Sequence, residues 1–244
     1  MVEFMQPIHQ PHRTPDLLND GRLTANQTPP QPASSSCRIP SQGSSWSQST
    51  EQNSGTRSPS EAHWEGHNIF SWFDEEPTLL VAIVTGAGEK AFCAGQDLVE
   101  QASSRGKPKT GAEAARRGKK PVLAAVNGFA LGGGFEICLN CDMIVASPKA
   151  QFGLPEVAVG LYAAAGGLPR LVRIVGLPLA SEFAMTGRKL SAKEALDLGL
   201  INRISQSAGT VVEETIALAQ EITKNSPDGV IVTRQGIREA WGQR

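Results

Sequence analysis

An α/β domain is what the sequence predicts, on three observations. Short apolar runs rich in valine, isoleucine and alanine recur at 79–84, 121–126 and 142–146, the composition of strands buried on both faces of a parallel sheet. Segments of helical period follow them, at 163–175, after Ser191, at 211–223 and from 227 toward Trp241. Turn signals rich in glycine separate the two kinds of segment, and strands alternating with helices indicate an α/β architecture.

In chain order, residues 1–62 stand apart. They are rich in Pro, Ser, Gln, Asn and Thr, with only short apolar pieces, and such a segment cannot bury enough surface to offset its ordering entropy. A disordered segment over 1–62 ahead of a folded unit over 63–244 is therefore expected. His9, His12, His63 and His67 all lie in or beside that segment. Ile69, Trp72 and Phe73 then fall at helical spacing, the end of an amphipathic helix stopped by Asp74-Glu75-Glu76-Pro77. The run 79–84 reads as the first buried strand, with Thr85-Gly86-Ala87-Gly88 as the turn after it and F-C-A-G-Q-D at 92–97 beyond. Residues 100–118 are polar and basic, a surface helix or loop. The runs 121–126 and 142–146 are two further strands, and 149–153 leads into Leu154-Pro155-Glu156. Ser191 and Glu194 have capping-box spacing at the start of a short helix that Gly199 ends. A small strand is expected over 201–204, and 211–223 is amphipathic with Val212, Ile216, Ala219 and Ile222 on one face. Ser226-Pro227-Asp228 caps the last helix.

The stretch with chemical content is 127–142, N-G-F-A-L-G-G-G-F-E-I-C-L-N-C-D. Gly132, Gly133 and Gly134 follow a strand and open onto a helix over 135–139. The first N–H groups of a helix lack partners and carry partial positive charge, and glycine lets a ligand approach them closely. An oxygen that is or becomes negative suits that place. Glu136, in the first helical turn, is either a catalytic base or a solvated carboxylate beside a glycine-rich turn.

Composition removes several classes. A net charge of −1 gives no basis for binding nucleic acid or an anionic membrane, and no run reaches the roughly 20 apolar residues of a membrane span. Cys138 and Cys141 form a single CxxC inside a helical apolar pattern with no second pair, so they read as buried small apolar residues in a reducing compartment, and no metal site is expected. Thr85-Gly86-Ala87-Gly88 resembles the opening of a short-chain dehydrogenase, but Lys90 stands where a further glycine is needed, and Gly166 stands four residues after Tyr162 where that family has lysine. A Ser-His-Asp triad fails because no histidine occurs from Phe70 onward.

Several motifs in the right order do fit one family. They are V-A-I-V-T-G-A-G-E-K-A-F-C-A-G-Q-D at 81–97, K-P-V-L-A-A-V-N-G-F-A-L-G-G-G-F-E at 120–136, A-Q-F-G-L-P-E at 150–156, G-G-L-P-R at 166–170, Thr186-Gly187, and the pattern from Ala192 through Gly199-Leu200 to Asn202. From about residue 63 onward the chain resembles the crotonase (enoyl-CoA hydratase/isomerase) superfamily. The resemblance implies a spiral of βαβ units that binds an acyl-coenzyme A thioester, with coenzyme A part of the substrate and no separate cofactor. It implies an oxyanion hole from the backbone N–H groups of Gln96 and Gly133, with Ala94, Gln96, Asp97 and Leu98 along the coenzyme A path. It aligns Glu136 and Glu156 with the two glutamates that hold and split a water in family hydratases. Hydration of a 2-enoyl-CoA is thus the activity implied. The alternatives are a Δ3,Δ2-enoyl-CoA isomerase that uses one of the two acids, and an inactive relative that only binds.

Three departures from the family pattern carry expectations of their own. Gln96 is bulkier than the alanine common there, and Tyr162 stands at the acyl site. The family's first strand and its coenzyme A-contacting turn are not found upstream of residue 63, and the C-terminal helices are not found before Arg244. A chain truncated at both ends is the expectation, which weighs against the family's trimers or hexamers. The compartment is left open between cytosol and organelle matrix.

Overall fold

The computed structural model describes residues 60–95 and 118–242. The disorder expected over 1–62 and the surface segment over 100–118 therefore lie almost wholly outside the described residues. The described part opens with helix α1 (Ser60–Glu75), which buries Ile69 and Phe73 and stops ahead of Pro77, as Asp74-Glu75-Glu76-Pro77 implied. Its C-terminal carbonyls are capped by a buried cation: Lys120 Nζ donates to Phe73 O at 2.7 Å and Glu76 O at 2.6 Å.

Eight strands follow among the described residues, in two sheets of four. The first holds β1 (Ala82–Thr85), β3 (Val122–Val126), β5 (Met143–Ala146) and β8 (Arg203–Ile204), in that order and all parallel. The second holds β2 (Ala91–Cys93), β4 (Phe129–Leu131), β6 (Gln151–Gly153) and β7 (Leu190–Ser191), parallel except for the last pair. Strands β1 to β6 alternate between the sheets, whereas β7 stays in the second sheet beside β6 and β8 returns to the first. A helix follows the β3–β4 pair and another the β5–β6 pair, within the expected spiral.

The first sheet is apolar on both faces, which explains its unbroken hydrophobic runs. Ile83, Leu123, Ala125 and Val145 pack against helix α5 (Val211–Thr223), while Ala82, Val84, Ala124, Val126 and Ile144 enter the larger core shared with the second sheet. The buried side of α5 is Val211, Thr215, Leu218 and Ala219. Val212, Ile216 and Ile222 are only partly buried against the same cluster, so the helix is rotated from the face its apolar period suggested.

The remaining helices among the described residues are α2 (Gly133–Asn140), α3 (Gly167–Thr186), α4 (Ala192–Asp197) and α6 (Pro227–Gly242), with a 3₁₀ turn at Pro155–Val159. Helix α3 corrects the expectation of a helix over 163–175. It starts four residues later and continues after a break at Gly176 (φ 79°, ψ 164°). At α4, Ser191 Oγ accepts from Glu194 N at 3.2 Å, but the Glu194 carboxylate binds Arg188 Nη2 at 2.8 Å. Helix α6 is pinned by charge: Asp142 takes Arg234 Nε at 2.8 Å, Arg238 Nη2 at 2.7 Å and the N–H of Val122 at 2.8 Å. Arg238 also donates to Asn140 O at the C-terminal end of α2. Among the described residues no helix is long and apolar enough to cross a membrane.

Candidate active site

Three parallel strands of the second sheet end at one rim. Register sets Cys93 beside Ala130 and Leu131 beside Gly153, so three loops leave the sheet together. These are Ala94-Gly95, Gly132-Gly133, and Leu154-Pro155-Glu156. In open α/β sheets, the carboxyl ends of parallel strands are where ligands bind.

The middle loop is built by glycines, and at Gly134 the neighbours leave no room for a side chain. Gly132 adopts φ 56° and ψ −128°, a conformation only glycine holds without strain, and this turns the chain from β4 into α2. A Cβ on Gly134 would lie 2.2 Å from Cys93 O, so helix α2 sits directly against the first loop. A Cβ on Gly95 would come 3.9 Å from Gly133 N, whereas one on Gly133 would meet nothing within 4 Å. Gly133 therefore occupies the first position of α2 beside Gly95 and faces open space. The intrahelical bonds begin with Phe135 N and Glu136 N, both to Gly132 O, which leaves the N–H of Gly133 outside the intrahelical bonds at the positive end of the helix.

Asn127 fixes this construction from below. Its Nδ2 donates to the carbonyls of Gly86, Gly88 and Ala91, and its Oδ1 accepts from Gly86 N. One buried amide thereby ties the turn after β1 to the strand that carries the first loop.

The two expected acids both stand at the rim. Glu136 is buried, and its Oε1 accepts from Ala165 N at 2.8 Å and Gly167 N at 2.9 Å. These donors orient the carboxylate and complement its charge. A Cβ on Gly167 would sit 2.7 Å from Glu136 Cγ, so glycine there permits the approach. Glu156 lies at the start of the 3₁₀ turn, and a Cβ on Gly132 would be 3.3 Å from its Oε1. Its Oε2 is buried with no hydrogen-bond partner among protein atoms. Burial pushes its carboxyl above the usual range, its own backbone N–H opposes this, and the charge of Glu136 adds to the rise. The two acids thus sense each other across the glycine turn.

Beside Glu156 opens a cavity of about 300 Å³, walled by Leu154, Val157, Ala163, Leu168, Val172, Ala180, Ala184 and Met185, with Tyr162 and Ser181 as its other polar residues. Tyr162 lines it, as its position in the sequence suggested. Ala94 is exposed on the first loop. Gln96, Asp97 and Leu98 lie outside the described residues, so the structure places Gly133, Glu136, Glu156 and Ala94 of the expected set. Sequence reasoning missed the N–H pair of Ala165 and Gly167, the Asn127 clamp and the α3 wall of the cavity. Only the Gly166-Gly167 pair carried a signal, within the G-G-L-P-R motif.

The enoyl-CoA hydratase/isomerase family profile matches residues 61–241. A mevalonyl-coenzyme A hydratase from Beauveria bassiana is 49% identical over 189 residues, covering 71% of this chain and 67% of its own. A carnitinyl-CoA dehydratase from Proteus mirabilis is 38% identical, covering 70% of this chain and 67% of its own. The crystal structure of an enoyl-CoA hydratase from Mycobacterium marinum superposes with a TM-score of 0.71 at 38% identity, over 77% of this chain and 75% of that one.

Proposed function

The chain belongs to the enoyl-CoA hydratase/isomerase family, whose relatives here are hydratases and dehydratases, and from that premise we propose that it hydrates a short, branched 2-enoyl-coenzyme A thioester, or runs the reverse dehydration. In this reading the thioester oxygen accepts from Gly133 N–H and from the N–H of Gln96, the residue after Gly95. Each such donor contributes roughly 3 kcal/mol to the transition state. Glu136, held by two backbone donors, takes a proton from water as its oxygen bonds the β-carbon. Glu156, whose carboxyl is protonated more readily than usual, delivers the proton to the α-carbon. The C=C bond is consumed, and one O–C and one H–C bond form.

The observation that carries this reading is the pair of acids at one glycine turn, one held by two backbone donors and the other with a buried, unpartnered oxygen. Cavity size supports a short acyl group, since about 300 Å³ is at the low end for ligand pockets. A mevalonyl thioester has a β-methyl group suited to the Leu, Val and Ala wall. A carnitinyl group ends in a quaternary ammonium, for which aromatic cages are the usual partner, and among the described residues Tyr162 is the only aromatic one on this wall. Loss of the enoyl-thioester absorbance on adding the protein to crotonyl-CoA and 3-methylcrotonyl-CoA tests the proposal. No loss with either substrate refutes it.

One observation favours a second reading. Because the two acids are held so differently, Glu156 alone could carry a proton from one allylic carbon to the other, as a Δ3,Δ2-isomerase requires. Gain of enoyl-thioester absorbance from a 3-enoyl-CoA, persisting in Glu136→Gln, would support that reading.

A further inference from the structure

Arg170 is a buried cation that the chemistry above does not use. It lies one turn inside α3 and is 7% exposed. Its Nη1 donates to Gly166 O at 2.8 Å. Gly166, the residue just before α3, holds φ 91°, a left-handed conformation that suits glycine. The guanidinium fills the space that a side chain there would need, since a Cβ on Gly166 would lie 2.8 Å from Arg170 Nη1. The chain over 160–166 is turn and loop, so the direction of its last peptide groups depends on contacts of this kind.

Gly166 O and Gly167 N belong to one peptide group. A trans peptide is planar, with its C=O and N–H pointing in opposite directions. On one side the guanidinium donates to the C=O, and on the other the N–H donates to Glu136 Oε1 at 2.9 Å. Hydrogen bonds in series polarise one another, and here a cation stands at one end of the series and a carboxylate at the other. The second donor to the same oxygen, Ala165 N at 2.8 Å, lies on the other flank of Gly166. Both donors thus adjoin the residue whose carbonyl Arg170 holds. The main chain of Glu136 is fixed separately, because its C=O accepts from Asn140 Nδ2 at 2.9 Å.

We propose that Arg170 is a positioning residue for Glu136. Acting through the Gly166–Gly167 peptide, it sets the direction of the carboxylate that takes the proton from water. This rests on the hydratase reading above. A base must stand within hydrogen-bond reach of the proton it takes, and small displacements of such a group are costly.

Arg170→Met tests it by keeping a buried stem and removing the donor. On crotonyl-CoA its kcat should fall about tenfold with KM within about twofold, because the carboxylate rather than the thioester loses its support. Arg170→Lys can still offer one donor to Gly166 O, and it should recover kcat to within about threefold. The amide proton resonance of Gly167 supplies a readout that lost packing alone would not move. It should shift upfield in Arg170→Met and in Glu136→Gln, and stay in place in Arg170→Lys. An unchanged kcat in Arg170→Met, or a lower kcat with the Gly167 resonance unmoved, overturns the proposal. If Arg170→Met does not fold, Glu136→Gln decides: neutralising the carboxylate should move the Arg170 guanidinium resonances, and no movement overturns the link. If the starting protein does not hydrate crotonyl-CoA or 3-methylcrotonyl-CoA, the hydratase reading falls. A Gly167 resonance that still moves in both variants then leaves Arg170 as the residue that positions Glu136.

Discussion

The two halves of the site are built from different materials. On the side proposed as the oxyanion hole, backbone meets backbone: Gly134 lies against Cys93, Gly95 against Gly133, and Asn127 stitches the turns together with four hydrogen bonds. On the acyl side, side chains from the 3₁₀ turn and the broken helix α3 form the wall, with Val157, Val172 and Met185 exposed. Backbone geometry at near-contact distance cannot drift, and in the proposed reading it serves the step common to any acyl thioester. Side chains on a helix can be exchanged without disturbing the turn, and in the same reading they decide which thioester enters. The difference predicts that substitutions on the first side break the protein or the chemistry, while those on the second change selectivity.

The largest effect should come from Gly134→Ala. Its methyl would fall 2.2 Å from Cys93 O, with backbone on both sides, and the cost should exceed about 4 kcal/mol, a large share of a domain's stability. Little soluble folded protein and a collapsed melting transition are expected. One residue earlier the outcome should invert. Gly133→Pro removes a donor but places proline at the first helical position, where it is tolerated. The melt should be near normal and kcat lower by about 10²–10³-fold. If both variants behave alike, the contrast between the neighbouring glycines is wrong.

Next in size are the acids. Glu136→Gln and Glu156→Gln should each lower hydration by about 10²-fold, read from steady-state rates on the same enoyl-CoA. Unchanged turnover in either would remove that residue from the mechanism.

The same contrast governs how much was legible in the sequence. The first sheet was readable because β1, β3 and β5 are runs of four or five residues buried on both faces. The second sheet was not. Strands β2, β4 and β6 have three residues each and β7 has two, and they run into glycine turns whose signal overrides a short apolar pattern. The glycine turn was thus read as following the 121–126 run directly, although β4 intervenes. Glu136 and Gly133 stood out because helix-start chemistry is local in sequence. Glu156 had no local signal and came only through the family motif. The α3 wall was missed because Gly176 and Pro178 read as a helix end, while the helix resumes beyond them. Gln96, Asp97 and Leu98 rest on the resemblance alone.

The smallest expected effect concerns stability, and it follows from Glu156. Its carboxyl is raised in the folded protein chiefly by burial, with Glu136 adding to it. The folded state therefore binds a proton more tightly than the unfolded chain. Wherever the native state holds more protons, stability falls as pH rises. The loss begins near the ordinary carboxylate value and is complete above the raised one. Glutamine carries no proton to lose, so Glu156→Gln, though about 10²-fold slower, should be more stable than the starting protein at about pH 8, with the advantage fading toward about pH 4. Glu136→Gln should shrink the advantage by removing the neighbouring charge. Thermal melts of the three proteins across that range decide the matter. A Glu156→Gln variant that is destabilised at high pH, or whose difference from the starting protein does not change with pH, would show that the buried oxygen of Glu156 is not a strained feature held for catalysis.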